Sequence, residues 1–159
     1  MLKASGSVEI SRSVGDVFKY VEDPHRQHEW QPGLHQVSVS GSKMTEVRKT
    51  MGRRISHDVE LSDKQENKKI SHKGAATSHD GTYERHMAFE DLGGGKTRVN
   101  LELSIDTKGV LGAARPIVER MVQREVNNDL EHLKDILEAH EDLHSAMGKL
   151  DKHGSGATA

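Results

Sequence analysis

From Arg54 to Leu61 the chain reads Arg-Ile-Ser-His-Asp-Val-Glu-Leu, with apolar and polar positions alternating. Ile55, Val59 and Leu61 share one face with His57, and Ser56, Asp58 and Glu60 share the other. This period of two predicts a half-buried strand with an imidazole on its apolar side. The same period recurs along the chain. Val8 and Ile10 mark a first strand, and Val37 and Val39 mark a second. A less regular one covers about 45–51, and Lys69 to Gly74 follows the charged turn at 63–67. Tyr83, Arg85, Met87 and Phe89 share a face within 82–90, as do Val99, Leu101, Leu103 and Ile105 within 98–106. Between these last two, Gly93-Gly94-Gly95 is a hairpin turn. Short strands, tight turns and one apolar face predict an antiparallel meander.

Two regions change to helical spacing. After the first strand, Ser13 is placed to cap a helix whose stripe is Val14, Val17, Phe18 and Val21, with Asp16 at its positive end. Asp23-Pro24 stops it, and a short second helix spans about Pro24 to Trp30. The last element is a long helix from about Leu111 to His144, regular from Pro116 onward. Its stripe is Val118, Val122, Val126, Leu130, Leu133 and Leu137. We expect one domain over residues 1–144 and a flexible tail over 145–159, which ends in a Gly-Ser-Gly-Ala-Thr-Ala stretch.

Composition narrows the function classes. The 159 residues include no cysteine, which removes disulfides and thiolate metal sites. Apolar runs reach only a few residues, far from the ~20 of a membrane span. The first ten residues lack the apolar centre of a signal peptide, so a cytoplasmic location is expected. Net charge is −2 and only five residues are aromatic, which argues against nucleic acid as a partner. No cofactor or metal site is expected. His25 and His28 lack a clear third ligand and read as surface residues.

Strand, two short helices, a long meander and a long amphipathic C-terminal helix occur here in that order. The motifs are VEISRSVGDVFKYVEDPHRQHEWQPG, MGRRISHDVEL, the Gly94–Val99 hairpin and RPIVERMVQREVNNDLEHLKDILE. Together they resemble the START-like (SRPBCC, helix-grip) superfamily, and within it the polyketide cyclase/dehydrase and lipid-transport branch. The resemblance spans about residues 5–140. It implies an α+β fold in which a curved antiparallel sheet of about seven strands grips the long helix. It also implies a cavity between the two for a hydrophobic or amphipathic molecule. The superfamily has no shared catalytic constellation, so fold does not fix reaction.

Strand parity then places four polar side chains on the cavity face: His57, His72, Tyr83 and Arg85. A turn centred near Gln65 would set Leu61 beside Ile70 and His57 diagonal to His72, roughly 7–8 Å away. A turn around Ser78 would bring Tyr83 or Arg85 beside His72. A buried guanidinium needs an anion. No inward strand residue is expected to be acidic. The candidates for Arg85 are therefore Glu125 and Asp129 on the helix, or a ligand's own anionic oxygen. The expected ligand-contacting set is His57, His72, Tyr83, Arg85, Met87, Leu103, Val122 and Val126. The first reading is a binder or carrier. The second is a cyclase or dehydratase in which His57 or His72 removes a proton next to a carbonyl, while Arg85 and Tyr83 stabilise the enolate. A protein-interaction module is the third.

Overall fold

The computed structural model describes residues 1–50, 52–76, 81–109 and 111–154, with Thr50, Ala76 and residues 140–154 described by backbone alone. Strand β1 (Leu2–Ile10) leads into α1 (Val14–Glu22), a 3-10 turn (Pro24–Arg26) and α2 (Gln27–Trp30). Strands β2 (Leu34–Ser40), β3 (Lys43–Thr50), β4 (Arg53–Gln65), β5 (Lys69–Ala76), β6 (Gly81–Gly93) and β7 (Lys96–Asp106) follow. A 3-10 turn (Gly112–Ala114) then enters α3 (Arg115–Gly154). All seven strands form one antiparallel sheet in the order β1-β7-β6-β5-β4-β3-β2, with β1 returning beside β7. This is the α+β architecture expected of the pattern. The backbone of α3 continues to Gly154, past His144 where its end was expected, and residues 155–159 lie outside the described set.

Local chemistry accounts for the element ends. The Ser13 hydroxyl accepts from the Asp16 backbone N–H at 3.3 Å, satisfying one of the open donors of α1. The Asp23 carboxylate does the same for His25 N–H at 3.0 Å, and Pro24 occupies a position where no N–H is needed. The β6–β7 turn holds Gly93, Gly94 and Gly95 at φ 81°, 63° and 75°, the left-handed region that glycine enters without steric cost.

The long helix packs on β1 and closes the concave face. Val126, Leu130, Leu133 and Leu137 are buried, at the four- and three-residue steps of one helical stripe. Burial of each such leucine stabilises the fold by roughly 1.5–3 kcal/mol. Phe18 on α1 meets Phe89 on β6 edge-on at 5.2 Å between ring centres, and Trp30 is 1% exposed. Trp30 is therefore a packing residue. The half of the sheet near α1 is filled in this way. The half near the start of α3, where Val118 and Val122 are only half-buried, is not.

The register between β4 and β5 differs from the one the turn residues suggested. The reversal is at Glu66-Asn67-Lys68, with Gln65 opposite Lys69 and Asn67 at φ 61°. A bulge between Leu61 and Asp63 then sets Leu61 opposite His72 and Val59 opposite Gly74. His57 is thus not diagonal to His72. A later turn and one extra residue are enough for this shift, and neither has a signature in the alternation itself. Across β5 and β6, His72 faces Arg85 and Gly74 faces Tyr83, which is the neighbourhood expected. The turn around Ser78 lies outside the described residues.

Candidate functional site

The unfilled half of the grip is a cavity of about 190 Å³. Its apolar wall comes from Ile55 and Val59 of β4, Leu101, Leu103 and Ile105 of β7, and Val122 and Val126 of α3. Its polar wall comes from Gln31, Glu46, Arg48, His57, Tyr83, Arg85, Glu125 and Asp129. Of the residues expected to contact a ligand, His57, Tyr83, Arg85, Leu103, Val122 and Val126 line it. His72 and Met87 do not. Met87 is buried in the core cluster with Ile70 and Phe89, on the half of the sheet that α1 fills. His72 points inward but stands opposite Leu61, displaced by the β4 bulge.

The centre of the polar wall is a carboxylate that sequence reasoning missed. Glu46 on β3 is 1% exposed. Its Oε1 accepts from Arg85 Nη2 at 3.1 Å and from Gln27 Nε2 at 3.0 Å. Its Oε2 accepts from Arg48 Nε at 2.8 Å. Gln31 Oε1 accepts from Arg48 Nη2 at 2.6 Å, and Arg85 Nη1 donates to the Tyr83 hydroxyl at 3.3 Å. The partner expected for Arg85, Glu125 or Asp129, is therefore replaced by Glu46. The parity of β3 agrees once its inward residue is known. Met44 is apolar and buried, so Glu46 and Arg48 must share its inward face. Gln27 and Gln31 stand four residues apart across the one turn of α2, which brings both amides to the same side.

Electrostatics follow from this geometry. Burial alone would raise the Glu46 carboxyl, but the adjacent Arg85 and Arg48 guanidiniums and their hydrogen bonds hold it well below the usual carboxylate range. Glu46 is thus ionised, and it is one negative charge shared by two positive ones. Burial lowers His72 to about 3, helped by the positive charge of Arg85. Burial, then Arg48, lowers His57 as well. Both imidazoles are therefore neutral and weakly basic, and each has a buried Nδ1 without a hydrogen-bond partner among the described residues. The His57 ring stacks on Tyr83, 6.4 Å between centres and 20° from parallel.

Asp129 behaves in the opposite way. It is 7% exposed and has no hydrogen bond or ion pair among the described residues. Burial raises it to about 7, with the charge of Glu125 adding to the rise and Arg48 and Arg85 opposing it. The group of the cavity best matched to proton transfer near neutral pH is thus this carboxyl, rather than either histidine. Among the described residues, no cluster of three or more His, Cys, Asp or Glu could hold a metal ion, and no helix is long and apolar enough to cross a membrane.

Comparison with known proteins agrees with this architecture. A START superfamily protein from Mycobacterium smegmatis superposes with a TM-score of 0.67 at 20% identity, over 89% of this chain and 98% of that one. The Zhui aromatase/cyclase from a Streptomyces species gives 0.72 at 14% identity, over 86% and 93%. A conserved protein from Geobacillus kaustophilus gives 0.72 at 12% identity, over 86% and 95%. These likenesses speak for the fold. No curated protein matches in sequence. The sequence pattern described as polyketide cyclase / dehydrase and lipid transport matches residues 1–138. A gripping seven-stranded sheet, a cavity under its long helix and a match over most of its length make this chain a member of the polyketide cyclase/dehydrase and lipid-transport family, with the START-like fold.

Proposed function

We propose that this protein binds a small, largely apolar molecule in the cavity between the sheet and α3. The observation that carries this reading is the form of the cavity. Seven apolar side chains from β4, β7 and α3 face a rigid, hydrogen-bonded polar wall. The cavity volume of about 190 Å³ exceeds the roughly 150 Å³ that accommodates benzene, and is below the ~300 Å³ of pockets for drug-sized ligands. The occupant is therefore the size of one or two substituted rings or a short chain. Native mass spectrometry of freshly purified protein, with identification of the extracted molecule, tests this. A bound mass that disappears in a cavity-filling Val122→Phe variant supports it. A chain that is empty, and whose Tyr83 and His57 signals respond to no small aromatic or aliphatic probe, overturns it.

A second reading is acid–base catalysis on such a molecule, in keeping with the aromatase/cyclase named among the structural neighbours. The observation that favours it is Asp129, a buried carboxyl at about 7 in a wall that also holds two guanidiniums. Asp129 would take the proton next to a ligand carbonyl, and Arg48 and Arg85 would stabilise the enolate oxygen. The histidines are less suited to the task because their basicity is lowered. Exchange of the α-protons of a bound ketone into heavy water, followed by NMR, separates the readings: exchange lost in Asp129→Asn supports catalysis, and no exchange leaves binding alone.

A further inference from the structure

The charges of the polar wall do not cancel. Arg48 and Arg85 contribute two positive charges, and among the described residues Glu46 is the one buried carboxylate that hydrogen-bonds to either. Glu125 also lines the cavity, at an exposed position, and its charge reaches Arg48 and Asp129, so the balance that follows is of the buried groups only. Asp129 on α3 is the other buried acid among the described residues. It shares the cavity with Arg48 and Glu46 of β3, His57 of β4 and Tyr83 and Arg85 of β6, with Glu125 one turn back on its own helix. When Asp129 is neutral, the buried groups carry a net charge of +1. When it is ionised, they carry none.

The hydrogen-bond count points the same way. Nε and Nη2 of Arg48 are used by Glu46 and Gln31, while Nη1 has no partner among the described residues. Arg85 uses Nη1 and Nη2, and its Nε has none. Neither atom is sealed off from accessible space, unlike the partnerless Trp30 Nε1, His57 Nδ1 and His72 Nδ1 among the described residues. Unused guanidinium donors on a cavity wall are suited to an anionic oxygen, because charge-assisted bonds are about twice as strong as neutral ones.

Resting on the ligand-binding reading above, we propose that the cavity selects a ring-sized monoanion, its anionic oxygens held by Arg48 and Arg85, and that binding is accompanied by uptake of one proton on Asp129. The apolar wall takes the ring. The anion restores neutrality only while Asp129 is neutral, so at a pH where Asp129 is ionised in the free protein the two negative charges compete and the carboxyl protonates as the ligand enters. Above pH 7 the affinity then falls about tenfold per pH unit, as for any one-proton linkage. Below pH 6 Asp129 is already neutral and the dependence flattens. His57 is not the source of this behaviour, because its lowered basicity would put its effect below pH 6.5.

Calorimetric titration of the full chain with benzoate and 1-naphthoate, against benzamide and 1-naphthamide, tests this at pH 6, 7 and 8 in two buffers of different ionisation heat. At pH 7 the carboxylates are expected to bind at least about tenfold more tightly than the amides, the scale of one charge-assisted contact. At pH 8 close to one proton is taken up per ligand. Asp129→Asn is expected to bind the carboxylates with neither proton uptake nor the loss of affinity between pH 7 and 8, and His72→Gln, outside the cavity wall, to keep both. Arg48→Gln is expected to abolish the preference for carboxylates, and Arg48→Lys, which keeps the charge, to retain part of it. Equal binding of acids and amides overturns the anion proposal and leaves the ligand-binding reading standing. Preference for acids with proton uptake unchanged in Asp129→Asn overturns the assignment to Asp129. Binding by neither class overturns the proposal, and the wider reading falls with it when native mass spectrometry also finds the purified chain empty.

Discussion

Glu46 and Arg85 sit on β3 and β6, three strand-to-strand steps apart in the sheet, yet their side chains meet at 3.1 Å. In a flat sheet three steps are roughly 14 Å. The contact closes because the sheet curls inward and both side chains point into the concavity. It ties the two halves of the grip together across the cavity. Replacing Glu46 by Gln removes the charge shared by Arg48 and Arg85 and leaves one buried and one half-buried guanidinium uncompensated. We expect a loss of about 3–5 kcal/mol, the usual result of breaking a buried ion pair from one side. Urea unfolding at pH 7 measures it, and a change below about 1 kcal/mol would mean that water reaches the pair. The pH dependence has a defined sign. Glu46 is held below its unfolded value, so its contribution is present above about pH 4.3 and is lost as pH falls through the folded value.

Two glycines predict opposite outcomes for the same substitution. A Cβ on Gly74 would lie 2.5 Å from the Asp58 carbonyl oxygen of the neighbouring strand, where backbone has to move. Gly15 is in α1 with nothing within 4 Å. Gly74→Ala should therefore destabilise by about 1–3 kcal/mol, as overpacking does. Gly15→Ala should stabilise by about 0.5–1 kcal/mol through helix propensity and unfolded-state entropy. Thermal melts of the two variants beside the parent check both signs, and a stable Gly74→Ala would show that β4 and β5 are less closely apposed than described.

The sequence made the sheet, the long helix and the inward faces of β4, β6 and β7 legible because each has four or so apolar residues at one parity. Arg85 and His57 could be placed for the same reason: Phe89 and Met87, or Val59 and Leu61, fix the side on which they fall. Glu46 escaped because β3 offers only Met44 and Val47 as apolar markers, and they have opposite parity. The buried one is Met44. On an outer strand with β2 as its only other neighbour, the face that holds the charges is the inward one, and no alternation says so. The β4 bulge at Leu61–Asp63 was equally hidden, because an extra residue changes pairing without changing composition. The neutral state of the histidines could not be read from spacing either. It depends on two guanidiniums brought near by curvature.

His72 gives a prediction that separates its structural role from ligand contact. It is inward and neutral, but it does not line the cavity. Its folded pKa, lowered to about 3, lies below the unfolded value near 6.5, so the unfolded chain binds a proton that the native chain refuses. Stability attributable to this site is therefore full above pH 6.5 and declines as pH falls toward 3. His72→Gln should remove that part of the decline, making the variant's stability at pH 5, relative to pH 7, about 1–2 kcal/mol less acid-sensitive than the parent's. Ligand affinity at pH 7 should be unchanged. Paired urea curves at pH 5 and 7, with one binding titration, decide it. A large loss of affinity would put His72 back in the site.

Asp129 should show the mirror image. Its folded value of about 7 lies above the unfolded value near 3.9, so the native chain keeps a proton that the unfolded chain releases. The cost is absent below the unfolded value, grows as pH rises from about 4 to 7, and then stays constant. Three units correspond to about 4 kcal/mol as an upper bound, since relaxation of the site and water in the cavity reduce it. Asp129→Asn, which cannot ionise, should therefore stabilise the free protein by about 2–4 kcal/mol at pH 8 and by close to nothing at pH 4. A carboxylate ligand acts on the same proton, because it raises the Asp129 value further. With saturating ligand, the gain from Asp129→Asn at pH 8 should thus be larger than in the free protein. Melts at pH 4 and 8, with and without benzoate, give all four numbers. If Asp129→Asn destabilises at pH 8, the carboxylate is held by a favourable contact in the native state, and the proton it was assigned belongs elsewhere.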